Sequence, residues 1–295
     1  MTEVTALEIS KISGQSGLDL LVSKIDKLVS LPDIYYRLET AIESPASTVD
    51  DLARLLGSDP DLCARLLSLA NSVFYSFPAK IETIDRAVST IGLRQIRELV
   101  LVTSVMKMFT GIPIKAVSMS SFWEHSVAVG VLAKSIAQYL GQSQAERYYI
   151  TGLLHDIGRL VLYLKLPDLM SDLLAKSEAE KQNLYILEQE LLSYSHAEAG
   201  GRLLERWKVP QSIYEPVQYH HRPTDAHEYA QMACAIQIAD AWVNKNKVGT
   251  SGEKFTPSID SEATKLLGIQ ENEMDEIWTL ALDDIKDVIR QFVTH

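Results

Sequence analysis

Residues 152–160 read GLLHDIGRL. An apolar run ends in an adjacent imidazole and carboxylate, His155 and Asp156, and Gly158 follows two residues later. Two good metal-ligand side chains thus leave a hydrophobic wall at a turn, where polar groups cost free energy unless something partners them. On both sides of this stretch apolar residues recur at three- and four-residue steps, with Gly and Pro between the periodic segments. The chain is therefore read as all-α.

Working outward toward the C-terminus, the spacing predicts helices over 122–140, 145–154, 157–164, 167–176, 184–192, 197–207, 210–219 and 229–246. The stretch 247–257 is rich in Gly, Ser, Thr and Lys and is expected to be a linker. A last helix carries Met274, Ile277, Trp278, Ala281, Ile285 and Val288 at helical steps, which suits a face docked on the core. Toward the N-terminus, residues 111–121 with Pro113 form a connector, and 18–110 a helical lobe. In that lobe Leu31-Pro32-Asp33 marks a helix start, with Ile34, Leu38, Ala41 and Ile42 on its inner face. Ser47 and Asp50 have the spacing of a capping box. Asp59-Pro60 opens a helix with Leu62, Leu66 and Ala70 inward, which ends before the aromatic run Phe74, Tyr75, Phe77 and Pro78. Gly92 joins two further helices over 84–91 and 93–109. The expected organisation is an arm over 1–17, a helical lobe over 18–110, a second helical lobe over 111–250, and a linker with an amphipathic helix over 251–295.

Composition sets the outer bounds. With 295 residues, 46% of them hydrophobic and 23% charged, the chain can bury a sizeable core. Two cysteines, Cys63 and Cys234, lie far apart in apolar patterns and fit a reducing compartment. The N-terminus lacks the basic segment of a secretory signal, and no apolar run has the roughly 18–20 residues of a membrane span. A cytoplasmic protein without a membrane segment is the expectation. The net charge is −11, and residues 251–295, with ten acidic and four basic groups, supply −6 of it. No basic stripe runs along the chain, so nucleic acid is not an expected partner. The segments around Gly57 and Gly92 have helix-turn-helix spacing, but the first would present Asp59 and Asp61 to phosphate, and the second only Arg94 and Arg97.

Five of the seven histidines, His125, His155, His196, His220 and His221, fall between 111 and 250 at or near predicted helix ends. Taken singly, His125 reads as a core histidine, His196 as part of a helix cap after Ser195, and the pair His220-His221 as a solvated turn. Asp240, in the apolar run QIADAW, is harder to place, because a buried carboxylate needs a partner. Taken together with Asp156 they form a ligand set suited to Fe, Mn, Zn or Ni, brought together from several helices of a bundle.

The order His125, His155-Asp156, His196, His220-His221, Asp240 resembles the HD superfamily of metal-dependent phosphohydrolases, in its HD-GYP-like arrangement. The segments LPDIYYRL, SDPDLCARLLSLANSVFY and IETIDRAVSTIGLRQIRELVL, followed by FWEHS, GLLHDIGRLVL, HAEAGGRLLERWKVP and YHHRP, resemble the HDOD (HD-related output domain) family of bacterial signalling proteins. This resemblance implies an HD-domain-like helical bundle preceded by a helical N-terminal lobe, and a regulatory role in signal transduction with a signalling protein as partner. It also implies two divalent ions, one held by His125, His155, Asp156 and Asp240, the other by His196, His220 and His221, with Asp156 between them.

Departures from the pattern shape the expected chemistry. Arg222-Pro223-Thr224-Asp225 stand where a cyclic-di-GMP hydrolase of the HD-GYP type has Glu and a Gly-Tyr-Pro loop, so that activity is not expected. Arg159 replaces a lysine, keeping a cation but changing its geometry. Ser121 replaces the Glu of three-metal relatives. Two readings follow: a regulatory HDOD protein that retains a metal-binding constellation, or a metal-dependent phosphohydrolase. In the second, Asp156 and Arg159 serve catalysis on a phosphorylated small molecule or nucleotide.

Overall fold

The computed structural model describes residues 12–26, 31–71, 80–109 and 117–293. Phe74, Tyr75, Phe77, Pro78, Pro113 and residues 1–11 of the expected arm lie outside them. All regular structure among the described residues is helical, as the periodicity predicts. Two compact units share it: Met1–Val29 with Gly111–Leu282, and Ser30–Thr110 with Asp283–His295. No helix among the described residues is long and apolar enough to cross a membrane.

The first helix, α1 (Gly14–Asp26), belongs to the larger unit. The smaller unit holds α2 (Asp33–Glu43), α3 (Val49–Gly57), α4 (Pro60–Ala70), α5 (Ile84–Ile91) and α6 (Leu93–Met108). Its core is apolar, with Leu38, Leu52, Leu56, Leu66, Ala87, Ile96 and Leu99 buried. Two local expectations shift. On α2 the innermost residues are Tyr35 and Leu38, while Ile34, Ala41 and Ile42 are half-buried. The capping box lies one residue later than Ser47 and Asp50: Thr48 Oγ1 accepts from Asp51 N at 3.2 Å, and Asp51 Oδ2 accepts from Thr48 N at 3.0 Å. Thr48 has the extended backbone of an N-cap, so the helix begins at Val49. Asp59 caps α4 as expected, accepting from Leu62 N at 3.1 Å. Arg97 is 3.2 Å from Glu39 and so is neutralised, which further weakens a phosphate-binding role.

The larger unit continues with α7 (Met119–Tyr139), α8 (Ala145–Leu154), α9 (Ile157–Lys165), α10 (Pro167–Glu180), α11 (Leu184–Leu192), α12 (His196–Arg206), α13 (Gln211–Tyr219), a 3-10 turn (Pro223–Asp225), α14 (Ala230–Lys245) and α15 (Ser261–Leu267). The last helix, α16 (Glu271–Val293), contributes its residues up to Leu282 to this unit. The seven-residue α15 has no counterpart in the expected helices, being too short to show a period; Asp260 caps it, and Gly268 ends it at φ +68°.

Close backbone approaches fix how these helices cross. A Cβ on Gly152 of α8 would meet Gly130 Cα of α7 at 2.8 Å. A Cβ on Gly158 of α9 would collide with the His196 carbonyl, and would stand 2.6 Å from Gly200 N of α12. These glycines bring three helix ends, and the residues His125, His155, Asp156 and His196, into one place.

Expected boundaries shift: residues 18–26, read as the start of the N-terminal lobe, lie in α1 of the larger unit, α16 from Asp283 onward belongs to the smaller unit, and the expected linker is not one. The 247–257 stretch is not a linker but part of the larger unit's interior: Ser251 and Glu253 are buried, Tyr163 Oη donates to Ser251 O at 2.7 Å, and Thr250 N donates to Ser121 O at 3.0 Å. Its polar composition provides the turn geometry and hydrogen bonds of a loop folded onto helices, including Gly249 at φ +61° and Gly252 at φ +114°.

Candidate metal centre

The predicted ligands reach the same interior from five places in the helical array. His125 comes from the first third of α7, His155 and Asp156 from the turn between α8 and α9, and His196 from the first residue of α12. His220 and His221 follow α13, and Asp240 lies in α14. Glu215 braces the turn after the histidine pair: its Oε1 accepts from the backbone N–H of His227, Glu228 and Tyr229 at 2.7, 2.9 and 3.3 Å. All seven residues are brought together, and six are buried; His221 is half-buried.

The donor atoms fall into three overlapping groups, each within 4.8 Å: His125, His155 and Asp240; His196, His220 and His221; and His155, Asp156 and His220. The first two groups divide the residues between two neighbouring positions, and the third spans them. Asp156 has one oxygen 3.3 Å from His155 Nε2 and the other 2.8 Å from His196 Nε2. Asp240 Oδ1 lies 3.1 Å from His125 Nε2 and accepts from Asn244 Nδ2 at 2.7 Å.

The imidazoles are oriented for coordination. His155 Nδ1 donates to Gly152 O at 2.6 Å and His220 Nδ1 to Val217 O at 2.7 Å, which makes Nε2 the free ligand atom of each ring when it is neutral. These Nε2 atoms, and both ring nitrogens of His125, are buried without a hydrogen-bond partner. His196 Nδ1 donates to Glu188 Oε2 at 2.6 Å, so its Nε2 lone pair confronts Asp156 Oδ1 at 2.8 Å and His221 Nε2 at 3.1 Å. Acceptors this close repel unless a cation, a proton or a metal ion, lies among them. Residues of these types, with these bare donors, fit divalent metal.

Protonation follows the same logic. Burial opposes a charged His155, but Asp156 and Asp240 override it and hold the ring up to about 10. Burial and the neighbouring His155 and His196 push His220 down to about 3. Burial and His220 likewise depress His221. Although burial opposes ionisation of Asp156 and Asp240, the surrounding imidazoles, and Arg159 beside Asp156, hold both carboxyls well below the usual range. Without metal, protons on His155 and His196 therefore balance the carboxylates.

Arg159 sits behind Asp156 and is 1% exposed, so it presents no open cationic surface. Its guanidinium lies among three carboxylates: Nε is 3.4 Å from Asp156 Oδ1, Nη1 3.7 Å from Glu188 Oε1, and Nη2 3.4 Å from Glu253 Oε2. Sequence reasoning missed Glu188 and Glu253. Glu188 was detectable, since it shares the buried stripe of α11 with Leu184, Leu187 and Leu192, where a carboxylate needs a partner. Glu253 gave no signal, because its loop has no periodicity.

At the half-buried edge, Tyr185 stacks on His221 with ring centres 4.0 Å apart and planes 10° from parallel. A cavity of about 200 Å³ opens there, lined by both rings, Ser195, Gln189, Glu190 and Arg222. Arg222 is occupied by Glu198 at 2.6 Å. Ser195, not His196, provides the helix cap, in a capping box with Glu198.

Known proteins place the chain. Residues 28–223 match the HDOD domain. A crystal structure of an HDOD domain protein of unknown function from Geobacter sulfurreducens is 25% identical, with a TM-score of 0.75 over 92% of this chain and 97% of that one. A candidate phosphohydrolase from Shewanella amazonensis SB2B is 26% identical, with a TM-score of 0.69 over the same shares. An uncharacterized protein of Treponema pallidum (strain Nichols) is 25% identical over 222 residues, and the match spans only 43% of that relative's length. With two thirds of its residues matched in one continuous stretch, this chain belongs to the HDOD family.

Proposed function

We propose that this chain is a signal-transduction protein whose HD-type site binds two divalent ions, and that it acts on a protein partner rather than by turning over a substrate. The observation that carries the metal-binding part is the crowding of buried ligand atoms: the Nε2 atoms of His155 and His220 have no hydrogen-bond partner, and His196 Nε2 stands 2.8 Å from Asp156 Oδ1 and 3.1 Å from His221 Nε2. His125, His155, Asp156 and Asp240 would hold one ion, and His196, His220 and His221 the other. Iron, manganese, zinc and nickel all suit this donor set.

Two features favour regulation over hydrolysis. The buried Arg159 is held by carboxylates, and the mouth beside His221 carries Glu190 and an Arg222 already paired with Glu198, which is unfavourable for an anionic phosphoester. Bound divalent ions would nonetheless supply a low-pKa water and polarise a phosphoryl oxygen, and the Shewanella relative at 26% identity keeps the phosphohydrolase reading alive as the alternative.

The test has two arms. Metal-loaded protein is assayed against phosphomonoesters, phosphodiesters, nucleotides and cyclic dinucleotides, with no turnover expected; turnover that disappears in Asp156→Ala would establish the hydrolase instead. Metal-free protein is then titrated with Mn(II), Fe(II) or Zn(II) while its melting temperature is followed. Binding to the folded state raises it by mass action, and an unchanged melting temperature at every metal concentration contradicts the metal-binding reading.

A further inference from the structure

Behind the ligand cluster lies a ring of buried charge that the ligand set does not itself require. Glu188, Arg159 and Glu253 are 0%, 1% and 5% exposed. Glu188 Oε2 accepts two bonds from one residue, His196 N at 2.8 Å and His196 Nδ1 at 2.6 Å. Its other oxygen has no hydrogen-bond partner and faces Arg159 Nη1 at 3.7 Å. Arg159 Nε reaches Asp156 Oδ1 at 3.4 Å, and that same oxygen lies 2.8 Å from His196 Nε2, which closes the ring. Glu253 anchors the outer side: its Oε2 lies 3.4 Å from Arg159 Nη2 and accepts from Leu184 N, the first residue of α11, at 2.9 Å.

The ring meets both halves of the candidate centre at Asp156, but the hydrogen bonds of Glu188 reach only one, through His196. His196 belongs to the group with His220 and His221, whereas in the other group His155 is supported by Gly152 O and Asp240 by Asn244. A carboxylate that fixes the Nδ1–H of an imidazole sets which nitrogen faces the metal and raises its basicity. Here the backbone N–H of the same residue is held as well, so Glu188 fixes both the start of α12 and the angle of its first side chain.

We infer that Glu188 is a positioning residue for one of the two ions only, and that Arg159 steadies Asp156 between the two positions instead of binding a substrate phosphate. The inference rests on the metal-binding reading above and adds an asymmetry to it. The position built from His196, His220 and His221 depends on Glu188; the position built from His125, His155 and Asp240 does not. Loss of such an outer partner lowers metal affinity by about 10–100-fold.

The experiment titrates Co(II) into the metal-free 295-residue chain, following visible absorption and competition with a chromophoric chelator. Wild type should bind in two resolvable steps. Glu188→Gln, which keeps the shape and the hydrogen-bond acceptor but removes the charge, should leave one step unchanged and weaken the other by about 10–100-fold. If Glu188→Gln binds both ions as wild type does, or weakens both equally, the inference falls while the metal-binding reading stands. If wild type itself takes up no Co(II), both fall. Should Glu188→Gln fail to fold, Glu188→Asp is measured instead: it keeps the charge but draws the carboxylate away from His196 Nδ1, and the same one-sided weakening is expected.

Discussion

The two compact units handle their polar groups in opposite ways. In the smaller unit, Arg54–Asp51, Arg37–Asp33 and the contacts of Lys107 with Asp59 and Asp61 are ion pairs on exposed or half-exposed side chains, Arg97–Glu39 is a less exposed pair, and Glu98 is buried in a core otherwise made mostly of leucine, isoleucine and valine. Exposed pairs of that kind contribute about 0–1 kcal/mol each. In the larger unit His125, His155, Asp156, Arg159, Glu188, His196, His220 and Asp240 are driven into the interior against one another. Burying charge this way costs several kcal/mol per ion before pairing offsets it, so the arrangement is poor design for stability alone. What distinguishes the units is therefore that the larger one gathers its buried charges into a single cluster, whereas the described residues of the smaller one form no such cluster.

The largest expected effect lies at the helix crossing that builds the site. Gly158→Ala places a methyl group against the His196 carbonyl, where no flexible side chain can yield. Forcing the backbone apart should cost about 1–3 kcal/mol or more, and metal content should fall with it. Calorimetry and metal analysis of the purified variant check both; a variant with unchanged melting temperature would show that α9 and α12 are not in the close contact described.

Next in size is a core truncation in the smaller unit. Leu66→Ala, at a fully buried position, should destabilise by about 2–5 kcal/mol in denaturant unfolding. Unlike Gly158→Ala, it should leave the metal content of the folded protein unaltered. Equal metal loss in the two variants would erase the contrast between the units.

The third effect separates metal-free from metal-loaded protein by pH. Because His155 titrates at about 10 in the folded metal-free chain, against an ordinary value near 6.5, its contribution is complete below the unfolded value and is lost as pH rises toward 10. Metal-free protein should thus lose stability between about pH 7 and 10 from this group. Metal binding needs the neutral ring, so the metal-dependent gain in melting temperature should increase with pH over the same range. A gain that shrinks with rising pH, at constant free metal, would contradict protons and metal competing for one site.

The smallest effect is a cap. Thr48→Ala removes one half of the capping box at the start of α3 and should cost about 1 kcal/mol. Ser47→Ala should be nearly silent, which tests the one-residue shift directly.

How much of this was legible in the sequence depends on what each residue had to contrast with. His155, Asp156 and Asp240 stood out because they interrupt apolar helical runs, and the geometry gathers all seven predicted residues. Glu188 interrupts such a run too, but Glu190 lies two residues on in the same short helix, and composition alone does not tell a buried carboxylate from an exposed one. Arg159 was visible as a cation but not as a buried one, because its partners come from α11 and from the loop after α14, 29 and 94 residues further along the chain. The 247–257 loop was misread for a related reason. Loops that fold onto a protein and loops that link lobes share Gly, Ser and Thr, and only tertiary contacts tell them apart.

If the buried cluster exists for metal, elemental analysis of the 295-residue chain, purified without chelator, reports it most directly. The account predicts about two divalent transition-metal ions per chain, falling to well below one in His155→Ala/Asp156→Ala protein that remains folded. Wild-type protein that carries no more metal than the double variant, even after incubation with Mn(II), Fe(II) or Zn(II), would contradict it.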